Sequence, residues 1–266
     1  MGRRREGGGS RVVRSAGILA AIALTGLAVR AEAQGAYEIQ VYGAGVVERG
    51  RTMLELHSNF TFDGVRSPGG GVASSQHALH ETVEVTHGFG GWLEVGFYLF
   101  TSSQPGAAPV VVGSHLRPRV QAPASWHWPV GVSLSAEIGP ERRGYFGDTW
   151  SLELRPIVDQ RLGRWYWSVN PALEHPLAGG GSAGWEFAPA ATVTVDVTRT
   201  VTLGVEYYGG FGPLGGFDAP AERWQQLFPV LALDLSPDWE FNAGLGFGLT
   251  PATDRLSAKV IIGRRF

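Results

Sequence analysis

The sequence contains no cysteine among its 266 residues. Without cysteine the chain cannot form a disulfide framework, a thiolate metal site or a lipid-modified N-terminal cysteine. After residue 34, no stretch holds 18 unbroken apolar residues, so no transmembrane helix is expected there. Sustained apolar spacing at i, i+3, i+4 and i+7 is also missing, and the 39 glycines and 16 prolines disfavour helix interiors. These absences predict an all-β chain.

The N-terminus has the features of an export signal. Several arginines precede the apolar run Ser15 to Val29, and Ala31-Glu32-Ala33 supplies a small-x-small cleavage pattern. An N-terminal membrane anchor is the alternative, but it would need about 20 apolar residues. We therefore expect residues 1–33 to be a signal peptide, cleaved near Ala33-Gln34.

The charge that remains after cleavage bears on possible partners. Taking the six Arg and two Glu of residues 1–33 from the 22 basic and 24 acidic residues leaves a formal charge of −6. A nucleic-acid partner would call for a basic face, so none is expected.

The rest of the chain alternates apolar and polar residues with the period of a β-strand. In residues 51–62, Leu54 and Leu56 share one face, while Glu55 and His57 share the other. Glu81 breaks the alternation in one segment, and residues 110–121 show it weakly. Twelve candidate strands result, at 51–62, 77–87, 92–100, 110–121, 130–139, 149–160, 165–175, 185–196, 201–208, 224–236, 239–249 and 256–266.

The connections and the tryptophans favour a barrel in a bacterial outer membrane. Short turns alternate with longer, Gly-rich connections, as in outer-membrane barrels, and the strand number is even. The longer connections lie near 63–76, 101–109, 140–148, 176–184 and 209–223. Seven of the nine tryptophans lie at or within two residues of a strand start, as in membrane aromatic girdles, although Trp92 and Trp224 have inward parity. Trp126 and Trp128 lie in a connection.

We therefore expect residues 51–266 to form a closed, up-and-down antiparallel β-barrel in the outer membrane of a Gram-negative bacterium. The last strand would pair with the first, which explains a chain that stops on an alternating strand ending in Phe266. Residues 34–50 could be a plug, an extra strand or a periplasmic tail, and a plug formed by EIQVY (38–42) or by a long loop would block the bore.

Several strings resemble a known family. EIQVY (38–42), LELHSNFTF (54–62), LELRPIVDQRLGRWYWSVNPALE (152–174), VEYYGGFGPLG (205–215) and LGFGLTPATDRLSAKVIIGRRF (245–266) resemble proteobacterial outer-membrane transporters of the MetA-pathway-of-phenol-degradation type. The resemblance implies a barrel and the passage of small hydrophobic or aromatic compounds. The terminal strand ending in Phe266 also resembles the signal recognised by the barrel assembly machinery. Outer-membrane lipid, lipopolysaccharide and small solutes are the other expected partners.

The polar faces of the strands predict the lining of the lumen. Twelve acidic residues (Glu55, Glu84, Glu94, Glu137, Glu153, Asp159, Glu174, Glu186, Asp196, Glu206, Asp234 and Glu240) and six bases (Arg117, Arg119, Arg155, Arg255, Lys259 and Arg265) have inward parity. These charges could favour cations in a water-filled path or simply satisfy one another within the wall. The solute path is predicted to include Glu55, His57, Glu94, Tyr98, Arg117, Arg119, Glu137, Glu153, Arg155, Asn170, Glu206, Tyr208 and Lys259.

Enzymatic and metal chemistry find little support in these patterns. His57-Ser58-Asn59 has the residue types of barrel lipid hydrolases, but adjacent strand residues point to opposite faces. His77 and His80 have opposite parity and make a poor metal pair. We expect no catalytic residue, no metal ligand and no cofactor. The leading hypothesis is a channel or transporter, and the alternatives are a plugged structural or adhesion barrel and a lipid-modifying barrel enzyme.

Overall fold

The computed structural model describes residues 37–68, 71–179 and 184–266. The expected signal peptide and its cleavage site lie outside these residues. Within the described ranges, no helix combines the length and the apolar character needed to cross a membrane.

The described residues form a closed barrel of 12 antiparallel strands, which confirms the expected fold. Each strand pairs with its neighbours in sequence, and β1 pairs with β12. A single turn of 3₁₀ helix, Ala124–Trp126, lies between β4 and β5. The strands are β1 Thr52–Asp63, β2 Leu79–Gly90, β3 Leu93–Ser103, β4 Val110–Gln121, β5 Gly131–Pro140, β6 Asp148–Leu162, β7 Trp165–Gly179, β8 Glu186–Asp196, β9 Val201–Gly210, β10 Trp224–Leu233, β11 Trp239–Gly248 and β12 Leu256–Arg265.

The first and last strands close the barrel over most of their length. Their register runs from Met53 opposite Arg265 to Asp63 opposite Leu256. At the chain end, the Phe266 amide donates to the Thr52 carbonyl at 2.9 Å, and the Thr52 amide donates to the Phe266 carbonyl at 3.2 Å. The C-terminal strand is therefore hydrogen-bonded on both edges, which satisfies its backbone without a cap.

The strand alternation separates an apolar outer face from a polar inner face. Leu54 and Leu56 on β1 are 42% and 41% exposed, whereas the intervening Glu55 is buried and His57 has no exposure. The same contrast recurs on β12, where Ile262 is exposed and Lys259 is buried. Apolar side chains outside and charged side chains inside are the arrangement of a barrel whose outer face meets lipid.

The two ends of the barrel differ in their connections. Residues 91–92, 163–164, 197–200 and 234–238 join strands by short turns, and we call this the short-turn end. The β4–β5 connection also lies here and is longer. The longer loops that follow β1, β3, β5, β7 and β9 lie at the opposite, long-loop end.

Tryptophans occupy both ends. Trp126 and Trp128 lie at the short-turn end with ring centroids 4.9 Å apart, and Trp165 and Trp239 begin strands there. Trp92 was expected to face inward from a strand, but it lies in the β2–β3 turn and is 55% exposed. Trp150, Trp185 and Trp224 are near the long-loop end.

Two charges expected in the lumen lie outside it. Asp234 follows the last residue of β10 and is exposed, and Arg255 precedes β12 with its side chain 83% exposed. Both expectations were wrong because alternation assigns a face to every residue of a segment but does not say where the strand ends. Glu81, which breaks the apolar parity of β2, lies on the outer face, where Ser58 Oγ donates to its Oε1 at 3.4 Å.

Candidate functional site in the barrel lumen

Residues 37–49, which we call the lumen segment, run through the inside of the barrel. In the long-loop half, Thr82 Oγ1 on β2 donates to the carbonyl of Tyr37 at 2.7 Å. At the short-turn end, Arg49 bridges to Gly88. An ideal Cβ built on Gly88 would lie 2.3 Å from the carbonyl oxygens of Val47 and Glu48, so glycine permits this close approach. The segment belongs to none of the 12 strands.

The wall holds the backbone of the lumen segment with side chains rather than with a strand ladder. Asn170 on β7 contacts both the amide and the carbonyl of Tyr42, at 2.8 and 3.0 Å, and Ser168 Oγ also donates to that carbonyl. A buried backbone outside a sheet needs such partners because its polar groups cannot be left unpaired without cost. Further bonds join Arg119 to the carbonyls of Gly43 and Gly45, Asp159 to the amide of Ala44, Gln121 to the amide of Val46, Glu94 to the amide of Val47, and Lys259 to the carbonyl of Ile39.

Tyr42 lies at the centre of this arrangement. The guanidinium carbons of Arg117, Arg155 and Arg119 are 4.5, 5.0 and 5.5 Å from its ring centroid. Its hydroxyl lies 3.1 Å from the hydroxyl of Tyr98 on β3. Three cations around one aromatic ring attract the ring quadrupole, so the side chain of Tyr42 adds to the backbone bonds that hold the segment.

Most charges of the inner wall are paired, either across strands or, for Arg155 and Glu153, along one strand. Arg117 Nη2 lies 2.8 Å from Glu84, and Arg119 Nη2 lies 2.7 Å from Glu94. Other pairs join Arg155 to Glu153 at 2.6 Å, His115 to Glu137 at 2.6 Å, and Lys259 to Glu206. A buried ion pair recovers the cost of leaving water only when its geometry is good, and removing one partner leaves a buried charge.

Two aromatic clusters line the long-loop half. Tyr37, Tyr98, Phe100 and Val112 form one, with Phe146 packed against it. The other is built from Ile39, Ala190, Tyr208, Phe228 and Val230, with Trp224 packed against it. The two clusters give this part of the lumen an apolar surface, alongside the ionic network around Tyr42.

The structure brings the predicted path residues together inside the barrel. All 13 are buried apart from Glu153, which remains partly exposed, and they are Glu55, His57, Glu94, Tyr98, Arg117, Arg119, Glu137, Glu153, Arg155, Asn170, Glu206, Tyr208 and Lys259. Sequence reasoning did not single out Tyr42, Ser168 or Gln121. Ser168 and Gln121 lie on predicted strands, but nothing in the sequence showed that their side chains meet a backbone running through the lumen.

His57 and Ser58 lie on opposite faces of β1. The His57 ring is fully buried in the lumen, whereas Ser58 contacts Glu81 on the outer face. The two side chains therefore cannot form a serine–histidine pair of the kind a lipid hydrolase uses.

No family model matches the sequence, and neither does any curated protein. Solved structures of outer-membrane channels do match. The COG4313 outer membrane channel from Pseudomonas putida F1 has a TM-score of 0.59 at 12% identity, covering 86% of this chain and 100% of that one. The KdgM porin has a TM-score of 0.54 at 6% identity, covering 80% and 99%. The NanC porin has a TM-score of 0.53 at 10% identity, covering 79% and 97%.

At these identities the likeness establishes the fold. The chain shares the barrel architecture of outer-membrane channels and porins. The resemblance to the phenol-degradation transporter family stays a prediction.

Proposed function

We propose that this protein is an outer-membrane channel for small solutes, in which residues 37–49 close the lumen and must shift for a solute to pass. The observation that carries the proposal is the set of side chains from β2, β3, β4, β6, β7 and β12 that hold the segment by its backbone. Side-chain contacts can be released without opening the strand ladder of the barrel. A gate of this kind can therefore move while the wall stays intact.

The outer surface supports placement in the outer membrane. Apolar residues alternate outward along the strands, and tryptophans lie near both ends. Outer-membrane barrels carry short periplasmic turns and longer extracellular loops. The long-loop end, with residues 63–76 and 209–223, accordingly faces the outside of the cell, and a signal peptide in residues 1–33 accounts for export.

The lining of the lumen favours small solutes with hydrophobic or aromatic surfaces as the molecules that the proposed channel passes. A solute entering from the long-loop end meets the aromatic clusters around Phe100 and Phe228 before it reaches the ionic network around Tyr42. Ring-to-ring contacts favour aromatic solutes. The hydroxyls of Tyr98 and Tyr208 already bond Tyr42 and Glu206, so the rings and not the hydroxyls are the groups offered to a solute. The narrow part then lies where the lumen segment crosses the barrel.

A permanently plugged structural or adhesion barrel is the second candidate. The number of bonds to residues 37–49 favours it, because each bond must be broken before the segment can leave. The two candidates differ in one property: a channel requires the segment to move on the timescale of solute passage.

A disulfide lock separates the candidates. An ideal Cβ on Gly131 would lie 3.0 Å from the Cβ of Ala44. A disulfide needs about 3.5–4.5 Å between its Cβ atoms, so the lumen segment must move inward by about 0.5 Å for the bond to form. Because the chain has no cysteine, Ala44→Cys with Gly131→Cys creates a single pair whose state is set by reductant alone. The new side chain also lies 2.1 Å from the carboxylate of Asp159, which must rotate and give up its hydrogen bond with the Ala44 amide. The single Gly131→Cys variant measures the effect of that loss by itself.

Conductance of the refolded double variant is then followed in a planar bilayer before and after reductant. A channel gated by the lumen segment stays closed when oxidised and shows openings after reduction. The two single-cysteine variants are the matched controls and should not respond to reductant. Identical traces in both redox states would contradict gating by this segment.

A further inference from the structure

A second feature of the lumen wall lies on β1 and β2. Glu55 and His57 are two residues apart on β1, so both face inward, and Glu84 is the register partner of Glu55 on β2. One ligand atom from each of these three side chains lies within 4.8 Å of the others. Cross-strand pairing thus places an imidazole and two carboxylates at one point of the wall.

These side chains are buried with polar atoms left unpaired. Within the described part of the chain, His57 Nδ1 and Glu55 Oε1 have no hydrogen-bond partner. His57 Nε2 and Glu84 Oε2 lie 3.4 Å apart without a well-aligned hydrogen bond between them. His57 and Glu84 are almost completely shielded from solvent. Buried polar atoms are nearly always well paired, so a group of poorly paired nitrogen and oxygen atoms that converge on one point indicates an unrecognised partner.

The local charges leave room for a cation. Arg117 contacts Glu84 and Glu94, and Arg119 contacts Glu94, so two arginines face two of the carboxylates. Arg117 uses Oε1 of Glu84 and leaves Oε2 turned towards His57. Glu55 is the additional acid beside this balanced group, and among the described residues no arginine or lysine lies within ion-pair distance of it.

We propose that Glu55, His57 and Glu84 bind a divalent transition-metal ion, with zinc as the reference ion. Imidazole nitrogen with carboxylate oxygen is a donor set that zinc accepts, at metal–ligand distances of about 2.0–2.2 Å. In a tetrahedral site with such distances, two ligand atoms are about 3.4 Å apart. His57 Nε2 and Glu84 Oε2 are 3.4 Å apart, and Glu55 completes the set after a side-chain adjustment.

Three protein ligands leave one position of a tetrahedral ion open. A water molecule or a solute group would fill that position. The side chain of Gln40, in the lumen segment, lies beside Glu55. A bound ion would therefore connect β1 and β2 to the segment that crosses the barrel.

The test is zinc titration of the refolded, metal-free protein by calorimetry. We expect saturable binding of one ion per chain. His57→Gln and Glu84→Gln should each weaken the affinity by at least about tenfold, since the loss of outer hydrogen-bonding partners alone costs 10- to 100-fold. X-ray absorption of the zinc-loaded protein should show only nitrogen and oxygen ligands, with an imidazole signature.

The matched control is His115→Gln. His115 also lies between two glutamates in the lumen, but its Nδ1 is already in a 2.6 Å hydrogen bond with Glu137. Its replacement should leave zinc affinity unchanged. Heat-modifiable migration on gels identifies any variant that fails to fold. If a variant does not fold, the X-ray absorption spectrum of the zinc-loaded parent protein decides whether an imidazole binds the ion. No saturable binding, equal loss in all three variants, or a spectrum without imidazole would overturn the proposal.

Discussion

Asn170 on β7 holds the backbone of Tyr42 with both ends of its side-chain amide. The Tyr42 amide donates to Oδ1 at 2.8 Å, and Nδ2 donates to the Tyr42 carbonyl at 3.0 Å. One wall residue thus replaces the two bonds that a neighbouring strand would supply. The lumen segment can be held inside the barrel in this way without being part of its sheet.

Replacing Asn170 with leucine should loosen the lumen segment. The change keeps the side-chain size but removes both hydrogen bonds and leaves the Tyr42 amide unpaired, at a cost of about 1–3 kcal/mol. Hydrogen exchange in peptides covering residues 38–46 should become faster. Asn170→Asp keeps an acceptor for that amide and should have a smaller effect. Unchanged exchange in the leucine variant would show that other contacts fix the segment.

The lumen should prefer cations once the segment is displaced. Removing Asp234 and Arg255 from the predicted inward set takes away one acid and one base, so the surplus of acids is unchanged. Fixed carboxylates raise the local cation concentration in a narrow pore. The preference should shrink with salt because the Debye length falls from about 10 Å at 0.1 M to about 3 Å at 1 M.

Reversal potentials across a salt gradient measure this preference. Replacing Glu94 and Glu153 with glutamine should reduce it, since both carboxylates lie in the inner wall and their loss leaves arginines unpaired. An anion preference in the parent lumen would contradict the charge argument.

Charges on the two faces of the barrel should differ in cost. Val260→Lys places a charge on the membrane-facing side of β12 and should destabilise the barrel by about 2–4 kcal/mol near mid-bilayer. Asn242→Lys is the matched control on β11, because Asn242 faces the lumen and its Oδ1 has no hydrogen-bond partner. Denaturant unfolding in lipid vesicles gives both values. Equal costs would show that the assigned faces are wrong.

Removing Phe266 should impair insertion into the outer membrane. The residue makes two backbone hydrogen bonds with Thr52 where the barrel closes, and its truncation loses both. We also expect it to be part of the strand read by the barrel assembly machinery. Cell fractionation of the truncated protein should show less barrel in the outer membrane, whereas Phe266→Tyr should be close to normal. Equal amounts of barrel in the outer membrane for the parent, the truncated protein and Phe266→Tyr would show that Phe266 is not needed for insertion.

Much of the wall could be predicted because a strand has a period of two. Alternation alone placed Glu94, Arg117 and Lys259 inside and Leu54 outside, as the structure has them. The same pattern could not find strand ends, so it placed Asp234 and Arg255 in the lumen. The alternation also did not decide which face of the strand carries Glu81. A single polar residue at an otherwise apolar position forms no repeating pattern from which its face could be assigned.

Contacts that depend on register or on irregular backbone could not be predicted. Glu55 and Glu84 meet only because of the alignment of β1 with β2, which the sequence does not encode locally. Tyr42 lies in a stretch without ladder hydrogen bonds, so no periodicity marks its position among Arg117, Arg119 and Arg155. A plug was one of three open alternatives for residues 34–50, and its bonding partners could be identified only from the folded chain.

The central claim is that a movable segment closes the lumen. Its most direct test compares the single-channel conductance of the refolded protein with that of a variant lacking residues 34–47. Both proteins must first show heat-modifiable migration, so that only folded barrels are compared. The account predicts small or infrequent openings for the complete protein and a larger, steady conductance for the variant. A variant that folds but conducts no better than the complete protein would contradict it and favour a permanently closed barrel.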